Sequence, residues 1–196
     1  MNHPRKIGLF GGTFDPVHLG HIHLATLAKE ALELDQVRFL PCRISPHKAG
    51  SIPASGGHRC EMLRLTTHDL DWAVVDDFEL RQSGPAYSFL TAEALAEKYP
   101  EARLFWIMGG DQWDVLPRWK NPKQLAALVE FAVLARGEPP HPRDGYRLHV
   151  VRGDHPASST ELRAAISTGE ISHEWLDCAV AQWIAEKGLY RLPPDL

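Results

Sequence analysis

The chain has 196 residues, 44% hydrophobic and 23% charged, with 21 Lys+Arg against 25 Asp+Glu for a net charge of −4. That is the balance of one globular domain of ordinary size, able to bury about 70% of the surface its unfolded chain exposes. A mildly acidic chain lacks the broad basic face of a sequence-independent duplex binder, and no apolar run nears the ~20 residues that span a bilayer, so neither nucleic acid nor membrane is expected as a partner. The basic N-terminus leads into an apolar run, Ile7–Phe10, too short for a signal-peptide core, which makes a cytoplasmic location the expectation. Cys42, Cys60 and Cys178 are odd in number and widely spaced, arguing for plain thiols rather than disulfides or a cysteine zinc site. Oligomeric state is left open.

Short apolar runs alternate with longer helical patterns. Strands are predicted at Lys6–Phe10, Gln36–Leu40, Trp72–Phe78, Arg103–Met108, Glu130–Leu134 and Tyr146–Val151. Helices are predicted over 20–34, 58–69, 88–98 and 122–128, with two more, 160–168 and 173–187, closing the chain. Ile44–Gly57 and Gly137–Gly145 are rich in turn formers and predict surface loops. The alternation implies an α/β fold with a doubly wound, mostly parallel sheet and helices on both faces. Ligands in such sheets sit outside the strands' carboxyl ends at the switch point, so functional residues are expected just after strands one, four and five. No repeat or linker divides the chain, and residues 1–196 read as a single domain.

After the first strand comes Gly11-Gly12-Thr13-Phe14-Asp15-Pro16-Val17-His18-Leu19-Gly20-His21. Gly11 and Gly12 let backbone approach a ligand closely. A helix starting near Gly20 offers unpaired amides and a partial positive charge, a natural phosphate site. His18 and His21 are three apart and share a face, so both imidazoles can donate to one phosphate. The string has neither the Gly-Lys-Ser/Thr of a P-loop nor G-x-G-x-x-G. Two histidines at this spacing also suit caps or half a zinc site, although no carboxylate follows at ligand spacing.

Gly11–His21 resembles the signature of the H-x-G-H nucleotidylyltransferases, and the chain from Ile7 to Tyr190 is similar to the bacterial nicotinate mononucleotide adenylyltransferases. Ser45-Pro46-His47-Lys48 resembles that family's P-P-H-K loop, with Ser45 for the first proline. Pro85-Ala86-Tyr87-Ser88 resembles its P-S-Y-T turn, with Ala86 and Ser88 as departures; Ser88 also suits a helix N-cap. Gly109-Gly110-Asp111 followed by Trp119 resembles G-x-D…W. Arg136 follows strand five where the family has an arginine near ATP. Ala157-Ser158-Ser159-Thr160-Glu161-Leu162-Arg163 resembles I-S-S-T-x-I-R, and the Ser158/Glu161 spacing is that of a capping box.

The resemblance implies a Rossmann-like nucleotidylyltransferase fold and adenylyl transfer from ATP to nicotinate mononucleotide, giving deamido-NAD and pyrophosphate. It implies that His18 and His21, with amides near Thr13–Phe14, hold the α- and β-phosphates. Lys48, Arg163 and Mg²⁺, the last carried on the phosphates rather than on protein side chains, neutralise the leaving pyrophosphate. Ser158, Ser159, Thr160 and Arg163 bind the outer phosphates, the C-terminal helices 160–187 completing the ATP site. Gly109 and Arg136 lie near ATP, and Asp111 either accepts from ribose hydroxyls or orients a phosphate-binding group. His47, Lys48, Tyr87, Ser88 and Trp119 face the acceptor, Trp119 offering a flat face for the pyridine ring. The same chemistry on nicotinamide mononucleotide or phosphopantetheine, a non-catalytic nucleotide sensor, and a zinc hydrolase are the alternatives.

Overall fold

The apolar runs pair into a six-stranded sheet in the order β3-β2-β1-β4-β5-β6, every pair parallel, in a computed structural model that describes residues 5–43, 53–83, 86–135, 137–170 and 174–191. In chain order the elements are β1 (Lys6–Gly12), α1 (Leu19–Leu32), β2 (Gln36–Pro41), α2 (Gly56–Thr67), β3 (Ala73–Val75), α3 (Phe78–Arg81) and α4 (Ser88–Lys98). Then come β4 (Arg103–Gly109), α5 (Gly110–Val115), a 3-10 turn at Leu116–Arg118, α6 (Pro122–Leu128), β5 (Val129–Ala135), β6 (Leu148–Arg152), α7 (Ser159–Ser167) and α8 (Cys178–Lys187).

Alternate strand residues turn to opposite faces, and both are apolar because helices cover both. Phe10, Phe39, Phe105 and Ile107 pack on one face with residues of α1, α2, α7 and α8. Leu9, Leu40, Trp106 and Phe131 pack on the other with residues of α4, α5 and α6. The chain steps from β1 outward to β2 and β3, then returns to β4 on β1's other side, which puts the switch point between β1 and β4.

Several boundaries differ from the sequence reading for local reasons. β3 stops short because the Phe78 N–H turns to the Asp76 carboxylate (3.0 Å) and opens α3. β6 begins at Leu148 because Tyr146 closes a turn onto the Arg143 carbonyl. α8 begins at Cys178 rather than 173 or 174, since Asp177 is its N-cap and accepts from the Ala179 N–H at 2.8 Å. α3, α5 and the 3-10 turn escaped the periodicity because each is shorter than two helical turns.

Candidate active site

β1 delivers Gly11 and Gly12 to the carboxyl edge of the sheet. A Cβ on Gly12 would lie 2.9 Å from the Phe14 ring, so the close approach needs glycine. Phe14 has a left-handed φ of 51° and buries its ring against Phe10, Phe39 and His21. The Thr13–Pro16 loop is lashed down from three directions. Arg59, only 1% exposed, donates to the carbonyls of Thr13 (2.8 Å) and Ala54 (2.9 Å). The Asp15 carboxylate accepts from the Tyr190 hydroxyl (2.7 Å) and the Ala54 N–H (3.0 Å). From α7, Ser159 Oγ donates to the Pro16 carbonyl (2.9 Å) and Arg163 to the Asp15 carbonyl (2.7 Å). Burial, with the Asp15 charge adding to it, pushes the Tyr190 phenol well above its ordinary range, so it stays a donor.

His18 is the N-cap of α1 and 7% exposed. Its ring stacks on that of His21, centroids 3.7 Å apart and planes 30° apart. The His18 N–H donates to His21 Nδ1 at 3.2 Å. A ring nitrogen that accepts must be unprotonated, so neutral His21 carries its proton on Nε2, where it is a donor. A Cβ on Gly20 would come within 2.9 Å of Nδ1 of both His18 and His155, so the glycine of H-x-G-H makes room for imidazoles. The expectation of unpaired first-turn amides needs correcting. Leu19 N–H donates to the Trp175 carbonyl and His21 N–H to the His18 carbonyl, both at 2.9 Å. An anion at this end would therefore meet the imidazoles and the dipole more than the Leu19 and His21 amides. Among the described residues no group of three or more His, Cys, Asp or Glu is arranged to hold a metal ion.

α7 presents a second helix start. Ser158 is its N-cap, accepting from the Glu161 N–H at 3.5 Å, as the capping-box spacing predicts. Thr160 lies exposed beside Arg163, whose Nη2 reaches its hydroxyl at 3.4 Å. Arg163 thus joins α7 to the Asp15 loop.

Two cavities, of about 690 Å³ and 560 Å³, open at the carboxyl edge of the sheet, and Phe10, which lines both, has its ring centroid 6.2 Å from that of His21. Gly11–Thr13, Tyr87, Ser88 and Trp119 line the larger; Gly110, Asp111, Leu134 and Ala135 line the smaller. Phe10 and Gly109 line both, so the cavities meet at the β1/β4 switch point. Trp119 is half-buried and packs edge-on against Trp106 at 6.4 Å. Ser88 is not an N-cap: it is the first residue of α4, and Tyr87 is the cap. Asp111 lies in the first turn of α5 with Oδ1 folded back over Gly109, and its Oδ2 accepts from Gln112 at 3.1 Å. His47, Lys48, Pro85 and Arg136 lie outside the described residues. Sequence reading missed Arg59, Tyr190 and Glu79; the one available signal was a polar residue inside an otherwise apolar stretch, as with Arg59 beside Cys60, Met62 and Leu63.

The cytidylyltransferase-like family model matches residues 9–171. The chain is 36% identical to a probable nicotinate-nucleotide adenylyltransferase of Rhodopirellula baltica, covering 95% of this chain and 94% of that one. It is 38% identical to another from Listeria welshimeri, covering 94% and 97%. The chain belongs to the nicotinate-nucleotide adenylyltransferase family. Its fold is also that of family members solved by experiment: a Plasmodium falciparum nicotinic acid mononucleotide adenylyltransferase, complexed with NaAD, superposes with a TM-score of 0.75 at 16% identity, covering 95% of this chain and 97% of that one.

Proposed function

We propose that this enzyme transfers the adenylyl group of ATP to the 5′-phosphate of nicotinate mononucleotide, giving deamido-NAD and pyrophosphate for NAD biosynthesis. The observation that carries the site assignment is the stacked His18–His21 pair at the start of α1, its His21 ring 6.2 Å from that of Phe10, which lines both cavities. One cavity suits each substrate, and the reacting phosphates belong at their junction. The acceptor phosphate is already ionised at neutral pH, so the enzyme needs no strong base. Catalysis then rests on positioning and on donors aimed at developing charge.

His21 donates through Nε2, and His18 beside it contacts the same phosphates. Gly11, Gly12, Thr13 and Phe14 bring backbone close to the α-phosphate. Ser158, Ser159, Thr160 and Arg163 take the outer phosphates; Gly109, Asp111 and Arg136 lie toward the nucleoside of ATP. Trp119, Tyr87 and Ser88 enclose the pyridine ring, with His47 and Lys48 reaching the acceptor from their loop. We read residues 1–196 as one domain in which α7 and α8 complete the ATP site. The donors gathered here are imidazoles, hydroxyls, amides and a guanidinium, a set that fits phosphate oxygens rather than a metal cage. Mg²⁺ held on the ATP phosphates would supply charge neutralisation there. No helix among the described residues is long and apolar enough to cross a membrane, and small-molecule substrates in the cytoplasm are the setting we propose.

Pyrophosphate release from ATP tests this. Nicotinate mononucleotide should give the highest kcat/KM, ahead of nicotinamide mononucleotide and phosphopantetheine, and EDTA should abolish it. A better rate with another acceptor reassigns the acceptor; no release with any of them overturns the reading. His18→Ala should lower kcat by roughly 10²–10³, the range for one lost preorganised donor. A folded variant with wild-type turnover removes His18 from the chemistry.

A further inference from the structure

We infer that Glu79 is a specificity-determining residue of the acceptor cavity: as a neutral carboxylic acid it admits an anionic acceptor, and as a carboxylate it repels one. This rests on the assignment of the larger cavity to the acceptor. Glu79, in the single turn of α3, is 5% exposed, and what it does expose lines that cavity beside Thr13, Cys42 and Tyr87. The cavity wall also carries Arg118 and Lys120, but a buried carboxyl with no ion-pair partner among the described residues is unusual, because desolvation favours its neutral form unless a partner charge offsets it.

The groups around it come from three directions. From α4, the buried Thr91 hydroxyl donates to Glu79 Oε1 at 2.8 Å. After β2 lies Cys42, whose thiol is pushed up mainly by burial, with Glu79 adding to the rise. Before α3 lies Asp76, whose negative charge faces Glu79 but is itself held by Arg38 at 2.7 Å and 3.0 Å. Among the described residues Glu79 forms no ion pair. Burial pushes its carboxyl up to about 7, Thr91 opposing and Asp76 adding. With Thr91 donating to Oε1, the proton of the neutral acid belongs on Oε2.

Nicotinate mononucleotide brings a phosphate and a ring carboxylate into this space. Two like charges in a partly desolvated cavity repel strongly, so the acceptor binds the protonated form, and binding above pH 7 takes up a proton. Glu79→Gln keeps an oxygen to accept from Thr91 and stays uncharged at every pH.

The test is the KM for nicotinate mononucleotide, at saturating Mg-ATP, for wild type and Glu79→Gln between pH 6 and 8.5. Titration of the acceptor phosphate is common to both and cancels in the ratio. The two KM values should converge near pH 6, and the wild-type value should rise at least about five-fold more than the variant's by pH 8.5. Parallel profiles, or a uniform increase at all pH as a purely structural role would give, overturn the inference. A second measurement needs no variant: calorimetric binding of deamido-NAD to wild-type enzyme at pH 7.5–8.5, in buffers of different ionisation enthalpy. Net proton uptake supports the inference and its absence overturns it, since the pyrophosphate of that ligand does not titrate there. If wild type fails to use nicotinate mononucleotide at all, the proposed function fails and takes this with it; if it turns over with coincident profiles, Glu79 alone is misassigned.

Discussion

His21 shows how little of a residue's role resides in its identity. In the role we propose for it, it offers a phosphate the proton on Nε2, and that proton is put there by the His18 N–H bonding to Nδ1. The tautomer is thus set by backbone geometry at the N-cap of α1. Arg59 is the opposite case, a charged side chain whose work is to hold backbone. With 1% exposure it donates to the Thr13 and Ala54 carbonyls, 46 and 5 residues away in sequence. Arg59→Met should leave both carbonyls wanting donors and cost about 2–4 kcal/mol in urea unfolding. It should also raise the KM for ATP as the Thr13–Asp15 loop loosens. Arg59→Lys should not rescue either loss, because an ammonium cannot span both carbonyls as the planar fork does. Wild-type stability and KM in Arg59→Met would show the loop to be held by Asp15 and α7 alone. The H-x-G-H string was legible in the sequence because its residues are contiguous and the chemistry is local. Arg59, Asp15 and Tyr190 were not, since the contacts that give them a role join positions as far as 175 residues apart.

At the scale of elements, the β-α alternation was legible because the four central strands, β2, β1, β4 and β5, are largely apolar runs buried on both faces. The short pieces between β4 and α6 were not, although they carry Asp111 and place Trp119. Glu130 illustrates a further division along a strand. It is the second residue of β5, at the end of the sheet away from the site, and its side chain is 7% exposed. There it accepts from Arg103 at 3.0 and 3.1 Å and from His149 at 2.7 Å, with Arg147 at 3.7 Å. Burial works to raise this carboxyl, and the hydrogen bonds and charges of its partners outweigh it, leaving it below the usual range. Glu130→Ala removes the acceptor through which β5 holds Arg103 of β4 and His149 of β6 and should cost about 2–4 kcal/mol of stability. kcat/KM should stay at the wild-type value, since every site element lies at the strands' other ends. A loss of activity in protein that remains fully folded at the assay temperature would show that the two ends of the sheet are coupled.

The whole molecule brings the carboxyl ends of β1 and β4 together and leaves Glu79 buried beside them, and that placement has a cost in stability that depends on pH. The folded protein holds the Glu79 carboxyl at about 7 against an ordinary value of 4.5. Between those two values the native state binds a proton that the unfolded chain has released, so stability falls as pH rises through that window. The contribution is fully present below pH 4.5 and gone above about pH 8. Each pH unit of separation is worth about 1.4 kcal/mol, so the ionised group weighs on the native state by about 3 kcal/mol at pH 8. Glu79→Gln removes that penalty and preserves the hydrogen bond from Thr91. Urea unfolding of both proteins at pH 5, 6, 7 and 8 should therefore give a variant whose advantage over wild type grows with pH, approaching the full difference at pH 8. Every other titrating group is common to both chains and cancels. An advantage that is constant across the range would mean that the carboxyl ionises in the folded protein much as it does in water, and that Glu79 meets solvent or a cation more closely than its burial implies.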